Sequence, residues 1–269
     1  MKKLLAIGLA CGAVVLHFAA CCHATEHVPA PNVDVGSRDA DDAALARVLA
    51  AVVAPDGVRY AALVADHADL DRYRGLLAKA TIPPAGNARK ALFINAYNAW
   101  TLALVARHLP ADQRRWAKWS IKDAGTAFED VWKRYTFDLG GRRYTLDQVE
   151  HEILRPMGDP RIHFAINCGS RSCPKLAAKP YRAATLDADL DAATIAFVRD
   201  PGQMRMADGR LDINPILDWF AADFKKVGGV RAFLLAHAAA GPVKSYLAGA
   251  GKLSFFDYDW HLNQARGGR

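Results

Sequence analysis

Apolar positions recur at helical spacing through the first part of the chain and alternate in short runs later. The spacing predicts helices over 41–53 and 61–80, joined by the turn Pro55-Asp-Gly57. A third helix is expected over 87–108, with Asn87 as its N-cap and Pro110 beyond its end. Between 91 and 106 it is apolar on nearly every side, which marks a central, buried helix. Segments 134–138 and 142–144 flank Gly140-Gly141 and read as a hairpin; 203–206 and 210–213 flank Asp208-Gly209 and read as another. Thr145, with Gln148 three residues on, forms a capping box for a helix over 145–154. Alternation of Ile162, Phe164 and Ile166 with His163, Ala165 and Asn167 predicts a strand over 161–167. Helices follow at 186–199, at 214–226 behind Asn214-Pro215, and at 230–240, with a weak strand over 253–258. The expected fold class is α+β: a helix-rich single domain over 39–263 with a small, mostly antiparallel sheet. The Trp and Tyr residues are expected to pack in its core.

The chain ends change this picture first. Met1-Lys2-Lys3, an apolar run to Ala20 and Cys21-Cys22-His23-Ala24 have the layout of a secretory leader over 1–24. Phe18-Ala-Ala-Cys21 also resembles a bacterial lipobox, so a membrane tether through a lipidated Cys21 is the alternative to cleavage after Ala24. Both readings place the mature chain in the periplasm or outside the cell. A flexible segment over 25–38 and a tail over 264–269 are expected to flank the domain. Without Lys2 and Lys3 the net charge of +7 becomes +5, carried by scattered basic pairs rather than a run, which argues against nucleic-acid binding.

Of five cysteines, Cys168 and Cys173 lie beyond the leader. In an oxidising compartment two cysteines at this spacing either form a disulfide or leave a reactive thiol where a buried segment breaks into a loop; both readings stay open. A thiol, an imidazole and a carboxylate are the parts of a cysteine nucleophile system. Glu150 shares a helix face with Leu146, Ile153 and Leu154, so it is either paired or tuned. His151 is the first candidate base, since in an extended strand His163 and Cys168 point to opposite faces. Gly169 and Ser170 offer an amide and a hydroxyl beside the thiol, to bind an oxyanion or simply to make a turn. Asn95 and Asn98, three apart on the most apolar helix, either tie it to a loop or serve the site, with Tyr97 between them. No zinc spacing or phosphate-binding loop is present in the sequence, and no metal or cofactor is expected.

The chain resembles the family known as domain of unknown function 547. The resemblance rests on Phe93-Ile-Asn-Ala-Tyr-Asn-Ala99, Leu146-Asp-Gln-Val-Glu-His-Glu-Ile-Leu154 and Asp159-Pro-Arg-Ile-His-Phe-Ala-Ile-Asn-Cys-Gly-Ser-Arg-Ser-Cys-Pro174. It continues through Tyr181, Leu217-Asp-Trp-Phe-Ala-Ala-Asp-Phe224 and Phe256-Asp-Tyr-Asp-Trp-His-Leu-Asn263. It implies that Asn95, Tyr97, Asn98, Glu150, His151, Cys168 and Ser170 belong to the family's motifs. It also implies that His163 and Cys173 vary among members, which favours Cys168 acting alone. Asn214 and Phe220 depart from the family's usual residues. A buried helix followed by thiol and imidazole is loosely similar to papain- and transglutaminase-like hydrolases, an analogy of fold only. Two functions follow. One is a thiol-dependent hydrolase or acyl transferase acting on an amide, ester or thioester of a small-molecule or peptide-like substrate. The other is a non-catalytic binding or scaffold domain closed by a Cys168–Cys173 disulfide.

Export predicts that the mature protein starts at Thr25, or at an acylated Cys21 whose processing is blocked by a lipoprotein signal-peptidase inhibitor. Intact-mass measurement that finds 1–24 retained would sink the leader reading.

Overall fold

The structure is a computed structural model that describes residues 25–29, 41–126 and 129–266. The leader, Cys21 and most of the expected flexible segment lie outside the described residues. Strand β1 (Glu26–His27) pairs in parallel with a later strand, so part of the segment expected to be flexible is structured. Helix α1 (Asp41–Val52) runs into a tight hairpin, β2 (Val53–Ala54) and β3 (Gly57–Val58), around Pro55-Asp56. The single helix expected over 61–80 is two, α2 (Tyr60–Ala65) and α3 (Ala68–Lys79), broken at Asp66-His67. Asp66 explains the break: its side chain accepts from the Ala68 amide, a local bond that competes with helix continuation.

Helix α4 (Gly86–His108) is the central element, and from Phe93 to Leu102 every residue is buried. Its N-cap is Ala85, two residues before the expected Asn87, and Gly86 between them takes a positive φ. Asn87 instead donates to Asp187. A short helix α5 (Val131–Arg134) leads into the predicted hairpin, β4 (Tyr135–Leu139) and β5 (Arg142–Thr145). Gly140 and Gly141 both have positive φ, as a two-residue turn of this kind requires. The hairpin lies on α4, with Trp100 stacked on Phe137 at 5.1 Å and Phe93 edge-on to Tyr144.

Beyond Thr145 the chain forms one turn of helix, α6 (Leu146–Gln148), then a π-helical turn over Val149–Leu154 and a 3-10 turn over Arg155–Met157. The predicted strand over 161–167 does not form. Pro160–Phe164 is a 3-10 helix, capped by Asp159, whose side chain accepts from the Arg161 amide. The Asp-Pro start fixes a helical turn that the alternation of apolar residues concealed.

The remainder comprises α7 (Leu186–Val198), the predicted hairpin β6 (Met204–Ala207) and β7 (Arg210–Ile213), α8 (Ile216–Trp219), α9 (Gly229–His237), α10 (Pro242–Ala248) and β8 (Leu253–Phe255). The helix expected over 214–226 is α8 followed by a 3-10 segment, Ala221–Val227. Among the described residues the strands make three small sheets, mostly antiparallel, around a largely helical body: the expected α+β class. The chain stays structured beyond 263, where Gln264 bridges to Val58 and Ala265 is buried. Among the described residues no helix is long and apolar enough to cross a membrane.

Among the described residues two apolar clusters form. The larger one surrounds α4; the other gathers Phe197, Leu211, Leu217, Phe224, Phe233 and Leu247. The 160–164 turn joins them, since Ile162 belongs to the first and Phe164 to the second. The buried asparagines of α4 tie loops to the first cluster. Asn95 exchanges two hydrogen bonds with the backbone of Tyr181, at 2.8 and 2.9 Å. Asn98 donates to the Ala165 carbonyl and accepts from the Asn167 amide. Replacing Asn98 by Leu strands both backbone groups, and the expected loss is about 1–3 kcal/mol. Chemical denaturation that finds an unchanged midpoint would show that water satisfies them instead.

Candidate active site

The capping box predicted at Thr145 is present, with Thr145 accepting from the Gln148 amide and Gln148 accepting in return. It starts the segment whose π-helical turn then sets the direction of its side chains. Such turns are rare and concentrate at functional sites. Here Glu150 is turned inward and His151 outward, where its imidazole is exposed.

Both residues nevertheless line one cavity of about 380 Å³, together with Tyr97, His163, Cys168 and Cys173. Five residues proposed for chemistry from the sequence therefore converge: Cys168, Glu150, His151, His163 and Tyr97. His163 reaches the cavity because the 160–164 turn is 3-10, so the opposite-face argument that ranked His151 above it no longer applies. Asn95 and Asn98 do not line it; their amides are committed to backbone elsewhere.

The cysteine loop is held from two sides. Asn167 accepts from the Gly169 amide and donates to the Pro174 carbonyl, and Gly169 itself takes φ +80°. A Cβ there would lie 3.2 Å from Val105, which is why the turn is glycine. The Gly169 amide is thus spent on Asn167 and does not face an oxyanion. Cys168 and Cys173 are joined as a disulfide, with Cα atoms 6.2 Å apart. The Cys168 amide donates to the Cys173 sulfur. Among the described residues, the polar side chains that touch Cys168 Sγ are the Ser170 hydroxyl at 3.2 Å and the Tyr258 hydroxyl at 3.4 Å. Ser170 in turn donates to Tyr258 at 2.9 Å. Neither imidazole makes such a contact with the sulfur.

The imidazoles are engaged elsewhere. Asp223 receives Arg155 through both oxygens, at 2.7 and 2.9 Å, and accepts from His163 Nε2 at 2.8 Å. A carboxylate can only accept, so His163 carries its proton on Nε2 and turns Nδ1 toward Glu150 Oε1, 4.0 Å away. Phe220 stacks on His163 at 4.0 Å. Arg155 also donates to His151 Nδ1, which leaves that proton on Nε2, 3.7 Å from Asp147. Tyr97 donates to Glu150 Oε2 at 3.3 Å.

Burial sets the charges. It pushes the Glu150 carboxyl up to about 7, with Tyr97 and Arg155 opposing only in part. It pulls His163 down to about 4 against the opposing effect of Asp223. It also lowers His151. Burial raises Asp223 too, but its bonds to Arg155 and His163 outweigh this and keep it ionised. Between about pH 4 and 7 the Glu150–His163 contact is therefore a neutral acid facing a neutral imidazole, not an ion pair. A carboxyl that changes state near neutrality can both give and take a proton.

The family model described as "Protein of unknown function, DUF547" matches residues 84–198. This stretch is a DUF547 region. No curated protein and no solved structure matches the chain. The DUF547 region supplies Tyr97, Glu150, both imidazoles and both cysteines. Asp223, Phe220 and Trp219 near α8, and Tyr258 and Trp260 after β8, come from beyond it. Residue-by-residue reading missed all of these as site residues. Trp132, Trp219 and Trp260 line the cavity, Trp132 while also packing against the larger cluster, whereas Trp100, Trp116 and Trp119 are buried in the core. Asp147 lines it too. Leu217-Asp-Trp-Phe-Ala-Ala-Asp-Phe224 and Phe256-Asp-Tyr-Asp-Trp-His-Leu-Asn263 carried the available sign, since acids there sit among aromatics.

These shifts fix a pH dependence. Glu150 binds its proton more tightly when folded, so its contribution is full below its ordinary value of 4.5 and is lost as pH rises through about 7. For His163 the neutral form is favoured, so its contribution is full above 6.5 and is lost as pH falls through about 4. Glu150→Gln should then leave stability unchanged at pH 4.5 and raise it by about 1–3 kcal/mol at pH 8. Thermal unfolding at both pH values measures this; a gain equal at the two would show that Glu150 is ionised throughout.

Proposed function

We propose that the chain is an exported, thiol-dependent hydrolase or acyl transferase whose nucleophile is Cys168 once its bond to Cys173 is reduced. The observation that supports this reading is the shared cavity, lined both by a cysteine and by a carboxyl poised near neutrality. The proton carrier shifts from the imidazoles to Glu150. With the disulfide reduced by an external dithiol, the Glu150 carboxylate accepts the Cys168 thiol proton and the thiolate attacks the substrate carbonyl carbon. The Tyr258 hydroxyl, already beside the sulfur and accepting from Ser170, donates to the oxyanion that forms. Collapse expels the amine, alcohol or thiol, which leaves with the proton from Glu150. Water, or another acceptor, then yields its proton to Glu150 as it attacks the thioester and frees the thiolate. His163, fixed by Asp223, is a positioning residue that keeps a lone pair rather than a positive charge beside Glu150.

The Cys168–Cys173 disulfide favours a second reading, a binding domain in which the closed pair braces the cavity and no bond is broken. A nitrophenyl ester separates the two. Reduced protein should hydrolyse p-nitrophenyl acetate with a burst of about one nitrophenolate per chain, and oxidised protein should not. Cys168→Ser should abolish the burst, and Glu150→Gln should slow turnover by about 10²-fold or more. Equal rates for oxidised, reduced and Cys168→Ser proteins would leave only the binding domain.

A further inference from the structure

The outer half of the cavity has a chemistry that the proton-transfer groups do not account for. Trp132, Trp219, Tyr258 and Trp260 form a continuous aromatic wall. Trp260 lies 4.5 Å from Tyr258, 5.7 Å from Trp132 and, nearly parallel, 5.8 Å from Trp219. Trp219 is 48% exposed, although its ring is among the largest apolar groups in the chain. Three carboxyl groups share this lining, on Asp130, Asp147 and Glu150, against one ammonium, on Lys122. The other nearby bases offset little. His163 is neutral above about pH 4, Arg155 is bound to Asp223, and Lys133 is paired with Asp147, at 3.8 Å.

The position of Lys122 shows what this wall attracts. Its Nζ lies 3.5 Å from the centre of the Trp260 ring, on the face where an aromatic quadrupole is negative. The charge of Asp130 acts on the same ammonium. The chain's own ammonium thus occupies an aromatic and acidic seat at the cavity edge. Lys122 is exposed and sits on a short 3-10 turn, Ile121–Ala124, so its flexible stem can withdraw. An anionic ligand would meet the carboxylates of Asp130 and Asp147, and a neutral one would leave their field unused.

We propose that the cavity recognises ligands through an alkylammonium group, seated on Trp260 and its aromatic neighbours in the place that Lys122 now fills. This rests on the reading of the cavity as the substrate site, and it narrows the substrate class to cationic molecules.

Choline and its uncharged isostere 3,3-dimethylbutan-1-ol test it directly. Binding to oxidised full-length mature protein, followed by tryptophan fluorescence at pH 7.5 and low salt, should be at least tenfold tighter for choline. Because Lys122 competes for the seat, Lys122→Met should strengthen choline binding severalfold and leave the alcohol unchanged. Asp130→Asn should weaken choline selectively. Equal binding of the two probes, no saturable binding of either, or a choline preference unaltered by Lys122→Met would each overturn the proposal. No thiol chemistry enters this measurement. Its failure would leave the ester-hydrolysis result standing, and loss of hydrolysis with choline still bound would remove only the enzyme reading.

Discussion

The carboxylate of Asp223 is the hinge of this structure. It comes from the 3-10 segment that follows α8, which packs in the second apolar cluster through Phe224. Its partners, Arg155 and His163, come from turns that belong largely to the first. Three charged or polar groups are thereby held where the two clusters meet. Removing a partner from such a set leaves an uncompensated charge, which costs more than the pairing itself contributes. The bidentate geometry with Arg155 leaves one oxygen shared with His163, and that sharing decides the imidazole's tautomer. The tautomer turns a lone pair toward Glu150, and burial keeps the ring free of positive charge. Burial therefore outweighs what opposes it there, the Tyr97 hydrogen bond and the more distant charge of Arg155. The near-neutral carboxyl is thus first a consequence of its own burial, beside an imidazole that carries no positive charge.

The π-helical turn plays the complementary part. A regular helix from Thr145 to Leu154 would carry Glu150 and His151 at 100° intervals around one axis. The turn over Val149–Leu154 holds more residues per turn, which narrows that angle, so Glu150 enters the cavity while His151 beside it still reaches its mouth. Arg155, four residues after His151, then spans both, since it donates to His151 and to Asp223. The widened turn spends intrahelical bonding geometry on placing side chains, a common reason for π turns to persist at sites.

What was legible in the sequence was what local chemistry determines. Gly140-Gly141 and Asp208-Gly209 each force a turn with positive φ, and both hairpins form there. Thr145 and Gln148 cap each other across three residues, and the apolar α4 is central because no polar face competes for water. The strand over 161–167 failed for the converse reason. Alternation is a statement about faces, and the Asp159-Pro160 start overrode it with a backbone conformation that the pattern does not encode. Cys168, Glu150 and His163 were recognised as chemistry-bearing, but their relative placement was not. Their partners stand 60 residues away for His163 and Asp223 and 90 for Cys168 and Tyr258. Contacts at those separations depend on how two clusters dock, and no periodicity reports that.

The disulfide illustrates how a local and a distant constraint combine at one residue. Closing a loop between Cys168 and Cys173 needs only the turn at Gly169, and the Cys168 amide already points at the Cys173 sulfur. Nothing distant is required for the bond itself. Yet Cys173 borders a second cavity, lined by Arg171, Lys175 and Asp259, so the pair stands in the partition between two hollows. The strand-like return of the C-terminal segment presses on the same loop, where Asn263 donates to the Gly169 carbonyl and His261 accepts from the Arg171 amide. That segment also delivers Tyr258 to the Cys168 sulfur. Reduction would therefore free a sulfur whose hydroxyl partners are already in place, because the backbone that positions them is anchored to the loop on either side of the bond and not through the bond itself.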